Sequence, residues 1–328
     1  MLMEISSQKA WSEYWRSGTY AACFDIDRDG YAGSIRAHWF EVFSALADRS
    51  VMLDIGTGNG AVPVMALQYA DENKMHFDVH GVDLADIDPG RFVDPPVAGF
   101  ERVQFLGCTD IGALPYADGS MDLVTSQFAL EYMPLEPALD EINRVLGSCG
   151  SLAALIHSTQ SIPIQGSQLD LDDLNRMMDL DLLGSCRALL ATEAQGNKFN
   201  PDCKSHPEFQ NAKRDFARVA GQLFSGLNFT KPPAFVPRML SLLGEAYQNR
   251  YDSPVALICS QLDAMEAEMR VHSAQLKVML DAAVDDAGIQ QLQSMLQARG
   301  FCTIGFTPMH ASELGGNIGY KLLAGRSS

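Results

Sequence analysis

From Tyr31 to Asp48 the apolar residues Ile35, Trp39, Phe43 and Leu46 recur three or four positions apart, the stripe by which a helix packs on a sheet. The chain then enters Val51-Met52-Leu53-Asp54-Ile55, a short apolar run closed by Gly56-Thr57-Gly58-Asn59-Gly60. That pattern predicts a buried strand, a tight glycine turn and a helix over Val62 to Tyr69. Further strands are predicted at Phe77 to Asp83, Val103 to Leu106, Met121 to Phe128 and Ser151 to His157, with helical segments between, including Pro137 to Leu146. Apolar strands alternating with amphipathic helices predict an α/β chain with a doubly wound, mostly parallel sheet.

After His157 the pattern changes. As far as about Asp285 the strand signals stop, and amphipathic helices follow one another, broken at Gly166, Gly196 to Pro207, Lys231-Pro232-Pro233 and Ser253-Pro254. A helix over Ile289 to Arg299, stopped by Gly300, and strands at Phe301 to Phe306 and Asn317 to Ala324 then resume the sheet. The predicted organisation is an N-terminal helical segment (1–30), a sheet domain (31–157 with 285–328) and a large all-helical cap insertion (158–284). Within the cap, Ile258, Leu262, Met265, Met269, His272, Leu276 and Met279 alternate steps of four and three, a seam that needs a partner helix. The apolar faces of the preceding helices favour a partner in the same chain; a homodimer through the cap is the alternative.

Composition narrows the partners. Across 328 residues, 24 Lys and Arg against 41 Asp and Glu leave a formal charge of −17, which repels a phosphate backbone and argues against nucleic-acid substrates. No run of about 18 apolar residues exists, and Met1 to Tyr20 has no continuous apolar stretch, so neither a membrane span nor a secretory signal is expected and a cytoplasmic location is the default. Seven scattered cysteines without a C-x-x-C pair predict reduced thiols and no zinc site, with Cys108, Cys186 and Cys259 read as buried. Asp25-Ile26-Asp27-Arg28-Asp29-Gly30 copies the start of a calcium loop, but Arg36 stands where the bidentate Glu is required, so no metal is expected.

The glycine turn offers free N–H groups to a ligand at a helix N-terminus. Gly56, Gly58 and Ala61 fit the dinucleotide pattern G-x-G-x-x-G/A, whereas Gly56, Gly58 and Gly60 fit G-x-G-x-G with Asp54 two residues ahead. A carboxylate at the mouth of the turn opposes a pyrophosphate and suits the cationic amino group of an amino-acid ligand. A nicotinamide dehydrogenase would leave Asp54 and Asp110 without a role.

Val51 to Ala61 (VMLDIGTGNGA) resembles the first motif of the class I S-adenosylmethionine-dependent methyltransferases, whose sheet is Rossmann-like and seven-stranded. Val79-His80-Gly81-Val82-Asp83 is similar to that family's second strand, with Asp83 about 20 residues past the turn. Cys108-Thr109-Asp110-Ile111-Gly112-Ala113-Leu114-Pro115 and on to Val124 resembles the run from the third strand into the fourth, and Glu141 to Leu146 with Gly150 the approach to the fifth. Gly147-Ser148-Cys149-Gly150 departs from the usual Lys-Pro-Gly-Gly. The resemblance implies S-adenosyl-L-methionine as cofactor. It further implies that Asp54, Gly56, Gly58 and Gly60 form the turn, Asp83 with Leu84 meets the ribose, Asp110 and Ile111 meet the adenine, and Gln127 joins them. Leading aromatic segments fold over the cofactor in many relatives, which implicates Tyr14, Trp15 and Tyr20, with Arg16 and Arg36 the nearest cations for its carboxylate.

Methyl transfer from a sulfonium asks mainly for alignment and desolvation, and a base only where the acceptor must lose a proton. Glu131 and Tyr132, past the end of the fourth strand, are the first candidates for acceptor contacts, and His157 at the end of the fifth is the candidate base. Their structural alternatives are a helix-start acid, a packed tyrosine and a hydrogen-bonded strand-end histidine; His272 is read as a core histidine. Met177, Met178, Met239, Met265, Met269 and Met279 suit an adaptable apolar pocket in the cap. The expected activity is therefore methyl transfer to a small or lipid-like molecule. The alternatives are a cofactor-binding protein that transfers nothing and uses its cap for partners, and a protein methyltransferase with an open groove.

Overall fold

The computed structural model describes residues 7–21, 31–199, 206–227, 235–251 and 253–326. The calcium-loop look-alike at 25–30, Cys23, Cys203 and the 231–233 break lie outside them. The described chain divides into a sheet unit, 1–164 with 282–328, and a helical unit, 165–281.

The sheet unit begins with α1 (Ser7–Arg16) and α2 (Gly33–Phe43). Then come β1 (Val51–Ile55), α3 (Ala61–Glu72), β2 (Asp78–Val82), the single turn α4 (Pro89–Phe92) and β3 (Val103–Leu106). They are followed by β4 (Met121–Gln127), α5 (Leu135–Val145) and β5 (Leu146–Ile156). After the helical unit come α11 (Asp286–Ala298), β6 (Phe301–Ala311) and β7 (Gly316–Arg326). Seven strands form one sheet in the order β3-β2-β1-β4-β5-β7-β6, parallel except for β7, which runs against both β5 and β6. Chain progression reverses between β1 and β4, and at such a switch point an α/β sheet opens a crevice beyond the carboxyl ends of its strands.

Period-two strands send alternate side chains to opposite faces, so two cores form. On one face Trp39 and Phe43 of α2 and Met65 of α3 cover Met52 and Val79. On the other, Leu139 and Ile142 of α5 and Leu292 and Leu296 of α11 cover Leu53, Val124 and Leu152. Each such fully buried large side chain contributes about 1.5–3 kcal/mol. Helix α11 starts on Asp285, whose carboxylate accepts from the Gly288 N–H at 2.8 Å, and stops at Gly300 in the left-handed region (φ 85°).

The helical unit holds most of α6 (Ile162–Asp179), then α7 (Leu182–Phe199), α8 (Pro207–Phe224), α9 (Phe235–Gln248) and α10 (Val255–Ala282). Ile258, Leu262, Met265 and Met269 of α10 share a core with Leu174, Leu190, Leu223 and Leu243, so the seam finds its partners within the chain. Further along, the seam moves by one residue: Ser273 is buried, while His272 keeps a quarter of its side-chain surface and bonds Asp170 at 2.8 Å. A straight helix falls about 20° short of two full turns per heptad, and the polar ring goes to the flank where a carboxylate satisfies it. Met177, Met239, Met265 and Met269 are buried in the core of this unit, with Met178 partly buried against it. Cys186 is buried as expected, but Cys108 is exposed and Cys259 half-buried, because Cys108 lies in the loop beyond β3. Among the described residues no helix is long and apolar enough to cross a membrane.

Candidate active site

The glycine turn follows β1 with Gly56, Gly58 and Gly60 all at positive φ (65°, 52° and 83°), and Gly60 caps the N-terminus of α3. A Cβ at Gly58 would lie 2.4 Å from the Trp15 ring, and one at Gly56 2.4 Å from the Ala129 Cβ. The turn is therefore approached from two sides by side chains that tolerate only glycine.

Asp83 stands at the carboxyl end of β2 and spends both oxygens on backbone: one accepts from the Gly58 N–H and the other from Ala85, each at 2.8 Å. Burial raises its pKa, against the pull of those two N–H groups. Asp54 is buried beside the turn, close to Thr57 and to Asp83. It pairs in register with Thr125 of β4, whose hydroxyl donates to it at 2.7 Å, one residue inside the sheet. Burial pushes the Asp54 carboxyl up to about 7, with neighbouring Asp83 raising it further.

The third loop joins through the backbone, with the Thr109 N–H donating to the Asp83 carbonyl at 2.9 Å. Asp110 itself is exposed and caps the following turn, accepting from the Gly112 N–H at 2.9 Å, while Ile111 is buried among Leu53, Ile55 and Val82. Leu84 points into solvent, about half exposed, and its carbonyl accepts from Gln8. Gln127 ends β4 but gives its oxygen to the Trp39 indole N–H at 2.5 Å, so the core uses the acceptor the sequence assigned to a ligand.

Beyond Gln127 the chain is bent by Phe128, whose φ of 53° is strained for a bulky aromatic. The bend brings Glu131 back under the end of β5. Glu131 Oε1 accepts from the His157 N–H at 2.7 Å and lies 2.8 Å from its ring Nδ1, with both side chains almost fully buried. A carboxylate can only accept, so Nδ1 carries the proton. The other carboxylate oxygen, Oε2, is buried and has no hydrogen-bond partner. Phe128 packs on the His157 ring at 4.4 Å between centroids, and Tyr132 meets it edge-on at 6.2 Å.

Helix α1 connects the two regions. Trp11 contacts both Tyr132 and Trp15, and Trp15 lies on Gly58, so an aromatic row runs from the glycine turn to the Glu131–His157 pair. Ser12 accepts from the Asp86 N–H, Arg16 pairs with Asp86, and buried Asn59 donates to the Trp15 and Thr19 carbonyls. Arg36 pairs with Glu72 and Gln68. Both arginines thus have carboxylate partners of their own. Trp15 lies on the turn at Gly58, Tyr14 packs edge-on against Trp11 and Trp15, and Tyr20 packs on Phe100.

Asn59, Thr125 and the strained Phe128 were missed, although Asn59 lies inside the glycine motif and signalled itself there. His38 was missed too: it is buried, its Nε2 lacks a partner, and burial and nearby Lys321 lower its pKa to about 4.

A doubly wound sheet with its glycine turn and an acid at the next strand end, both at the switch point, is the arrangement in which α/β domains bind ligands beyond the carboxyl ends of their strands. Residues 53–154, less than a third of the chain, match the methyltransferase domain family. Solved structures similar to the chain include a Methanococcus maripaludis protein assigned as an S-adenosylmethionine-dependent methyltransferase (12% identity, 90% of this chain and 84% of that one, TM-score 0.42). The CMeT domain of the citrinin polyketide synthase is similar at 12% identity, over 90% of this chain and 51% of that one, with TM-score 0.42. Geranyl diphosphate C-methyltransferase from Streptomyces coelicolor is similar at 18%, over 46% and 64%, with TM-score 0.35. No curated protein sequence matches the chain.

The residues fit the cofactor in kind and place. Asp83 meets the turn directly, the orphaned Asn59 Oδ1 lies in that turn, and the Gly58 face admits no Cβ. That face is covered by Trp15 of α1.

Proposed function

We propose that this protein transfers a methyl group from S-adenosylmethionine to a small or lipid-like acceptor, with Glu131 and His157 taking the acceptor's proton. The observation that carries this reading is the buried carboxylate–imidazole pair at the ends of β4 and β5, reached from the glycine turn along a single aromatic row. When bound, the cofactor supplies an electrophilic methyl on a sulfonium. Asp83 would hold its ribose hydroxyls and the turn at Gly56 to Gly60 its amino-acid end.

Glu131 fixes the imidazole tautomer: with Nδ1–H donating to the carboxylate, Nε2 is the basic nitrogen. The carboxylate also stabilises the imidazolium that forms when Nε2 takes a proton. Phe128, Tyr132 and Trp11 exclude water from the pair, which strengthens its electrostatics. A base of this kind suits a hydroxyl or ammonium acceptor.

Calorimetry with S-adenosylmethionine and S-adenosylhomocysteine tests the first half, and methyl transfer to a panel of phenols, alcohols and amines the second. Binding is expected for both cofactor forms. Absence of binding by the folded protein at millimolar ligand ends the reading, while tight binding without turnover of any acceptor favours the non-transferring alternative.

A further inference from the structure

Just past β4 the chain adopts a conformation that the sheet itself does not require. Phe128 sits in the left-handed region (φ 53°), where glycine or asparagine is at ease and a bulky aromatic is strained. The bend is held by the Phe128 N–H, which donates to the Leu155 carbonyl at 2.7 Å, one residue past the Gln127–Leu155 pair of the β4–β5 ladder. Room for the ring is made on β7, at Gly319 (φ 153°): a Cβ there would lie 2.2 Å from the Ile156 carbonyl oxygen and 3.3 Å from Phe128 Cε1. Three strand ends thus converge to lay the Phe128 ring on the His157 imidazole, 4.4 Å between centroids and 35° between planes. Backbone strain persists only where the surroundings over-determine it, and it points to a task for the residue that carries it.

Glu131 holds the imidazole by its edge, at Nδ1, and Phe128 holds it by a face. The face of an aromatic ring is negative, so it attracts an imidazolium more than a neutral imidazole. We propose that Phe128 is a positioning residue for the proton acceptor, its ring face fixing the rotation of the His157 imidazole and favouring the imidazolium that forms at Nε2. On the methyl-transfer reading, on which this role rests, the acceptor's proton goes to Nε2, and the electron pair left behind stays on the acceptor atom, which becomes the nucleophile. A ring that favours only the protonated base acts on that step and not on cofactor binding. The titratable groups around the imidazole are Glu131, at 2.8 Å, and Tyr132, edge-on at 6.2 Å; Tyr320 and Lys321 follow Gly319 on β7, and His38 of α2 lies close to Lys321. None of them changes when Phe128 is replaced by Leu, which keeps the apolar cover and removes the π face.

Imidazole NMR across pH, on the full chain without cofactor, tests the proposal, the His157 signal being assigned by its loss in His157→Gln. In Phe128→Leu the imidazole is expected to lose roughly 3- to 30-fold in proton affinity, the factor that a desolvated cation–π contact supplies, so its titration midpoint falls. Phe128→Met, which also fills the space without a π face, is expected to do the same, and Phe128→Tyr, which keeps the face, to restore the parent midpoint. The acid limb of the pH–rate profile should move with the midpoint while S-adenosylhomocysteine affinity stays unchanged. A midpoint in a folded Leu or Met variant equal to or above the parent's overturns the proposal, and so does a Tyr variant that titrates like the Leu variant. If the parent binds no S-adenosylhomocysteine, the methyl-transfer reading fails by itself, and the midpoints still decide whether Phe128 favours the charged ring.

Discussion

Two carboxylates a few residues from the same glycine turn behave differently because their partners differ. Asp83 accepts from two backbone N–H groups and so ties β2 to the turn, whereas Asp54 has a hydroxyl partner inside the sheet. Asp83→Ala is expected to weaken cofactor binding by about 1–3 kcal/mol and to lower stability by a similar amount, since Gly58 and Ala85 lose their acceptor. Calorimetry and urea unfolding check both; a variant unchanged in affinity refutes the ribose assignment. Asp54 titrates near 7 in the fold against 3.8 as its ordinary value, so between those pH values the folded state holds the extra proton. Its contribution therefore makes stability fall as pH rises from about 4 to about 7. Asp83, also raised, acts in the same direction. Asp54→Asn should flatten that slope, seen as a smaller gap between urea midpoints at pH 5 and pH 8; an undiminished gap contradicts the assignment. At the other end of the site, Glu131→Gln is expected to cut methyl transfer roughly 100-fold, the usual worth of a positioned proton acceptor, while leaving S-adenosylhomocysteine affinity unchanged. Equal loss of binding and turnover would make Glu131 a structural residue only.

At the scale of elements, α1 is the part whose position bears most directly on cofactor access. It is joined to the 84–86 loop and to Tyr132 by few contacts, and its Trp15 covers Gly58. A ligand that contacts the Gly58 face has to displace that ring. Trp15→Ala removes aromatic packing worth about 0.5–1.5 kcal/mol, which predicts cofactor association faster by roughly 3- to 10-fold. Stopped-flow fluorescence of the remaining tryptophans measures it, and a slower rate would show that Trp15 forms part of the binding surface. The strands were legible in the sequence because each is an apolar run bounded by turn residues, and β1 was located to the residue. The ends of β5 and β6 were not: Gly147 to Gly150 form an irregularity between paired Leu146 and Ser151, and Thr307 to Ala311 extend the β6–β7 hairpin through Pro308, a residue whose pattern reads as a strand breaker.

For the whole molecule, the charge of −17 is spread over a surface whose local ion pairs offset only part of it. Raising ionic strength from about 0.01 M to about 0.15 M shortens the screening length from about 30 Å to about 8 Å and should raise the melting temperature by a few degrees. A melting temperature that falls with salt would mean that the ion pairs outweigh the net repulsion. The helical unit, rich in methionine, carried the least functional information in its sequence: its apolar spacing fixes helices but does not say whether their faces line a pocket or fill a core, and in the fold they fill a core.

Hydropathy period, the glycine spacing and the acid after β2 were enough to determine a doubly wound sheet with a glycine turn after its first strand, because those signals are local: a turn needing positive φ and a strand needing burial announce themselves over a few residues. Tertiary structure alone decided that Asp54 faces Thr125, that Gln127 serves Trp39, that Trp15 lies on Gly58 and that Glu131 meets His157 across 26 residues of sequence. Each of those is a choice among partners brought together by sheet order and backbone bend, and hydrogen bonds and packing contacts are selected by distance in space, which the linear pattern does not encode.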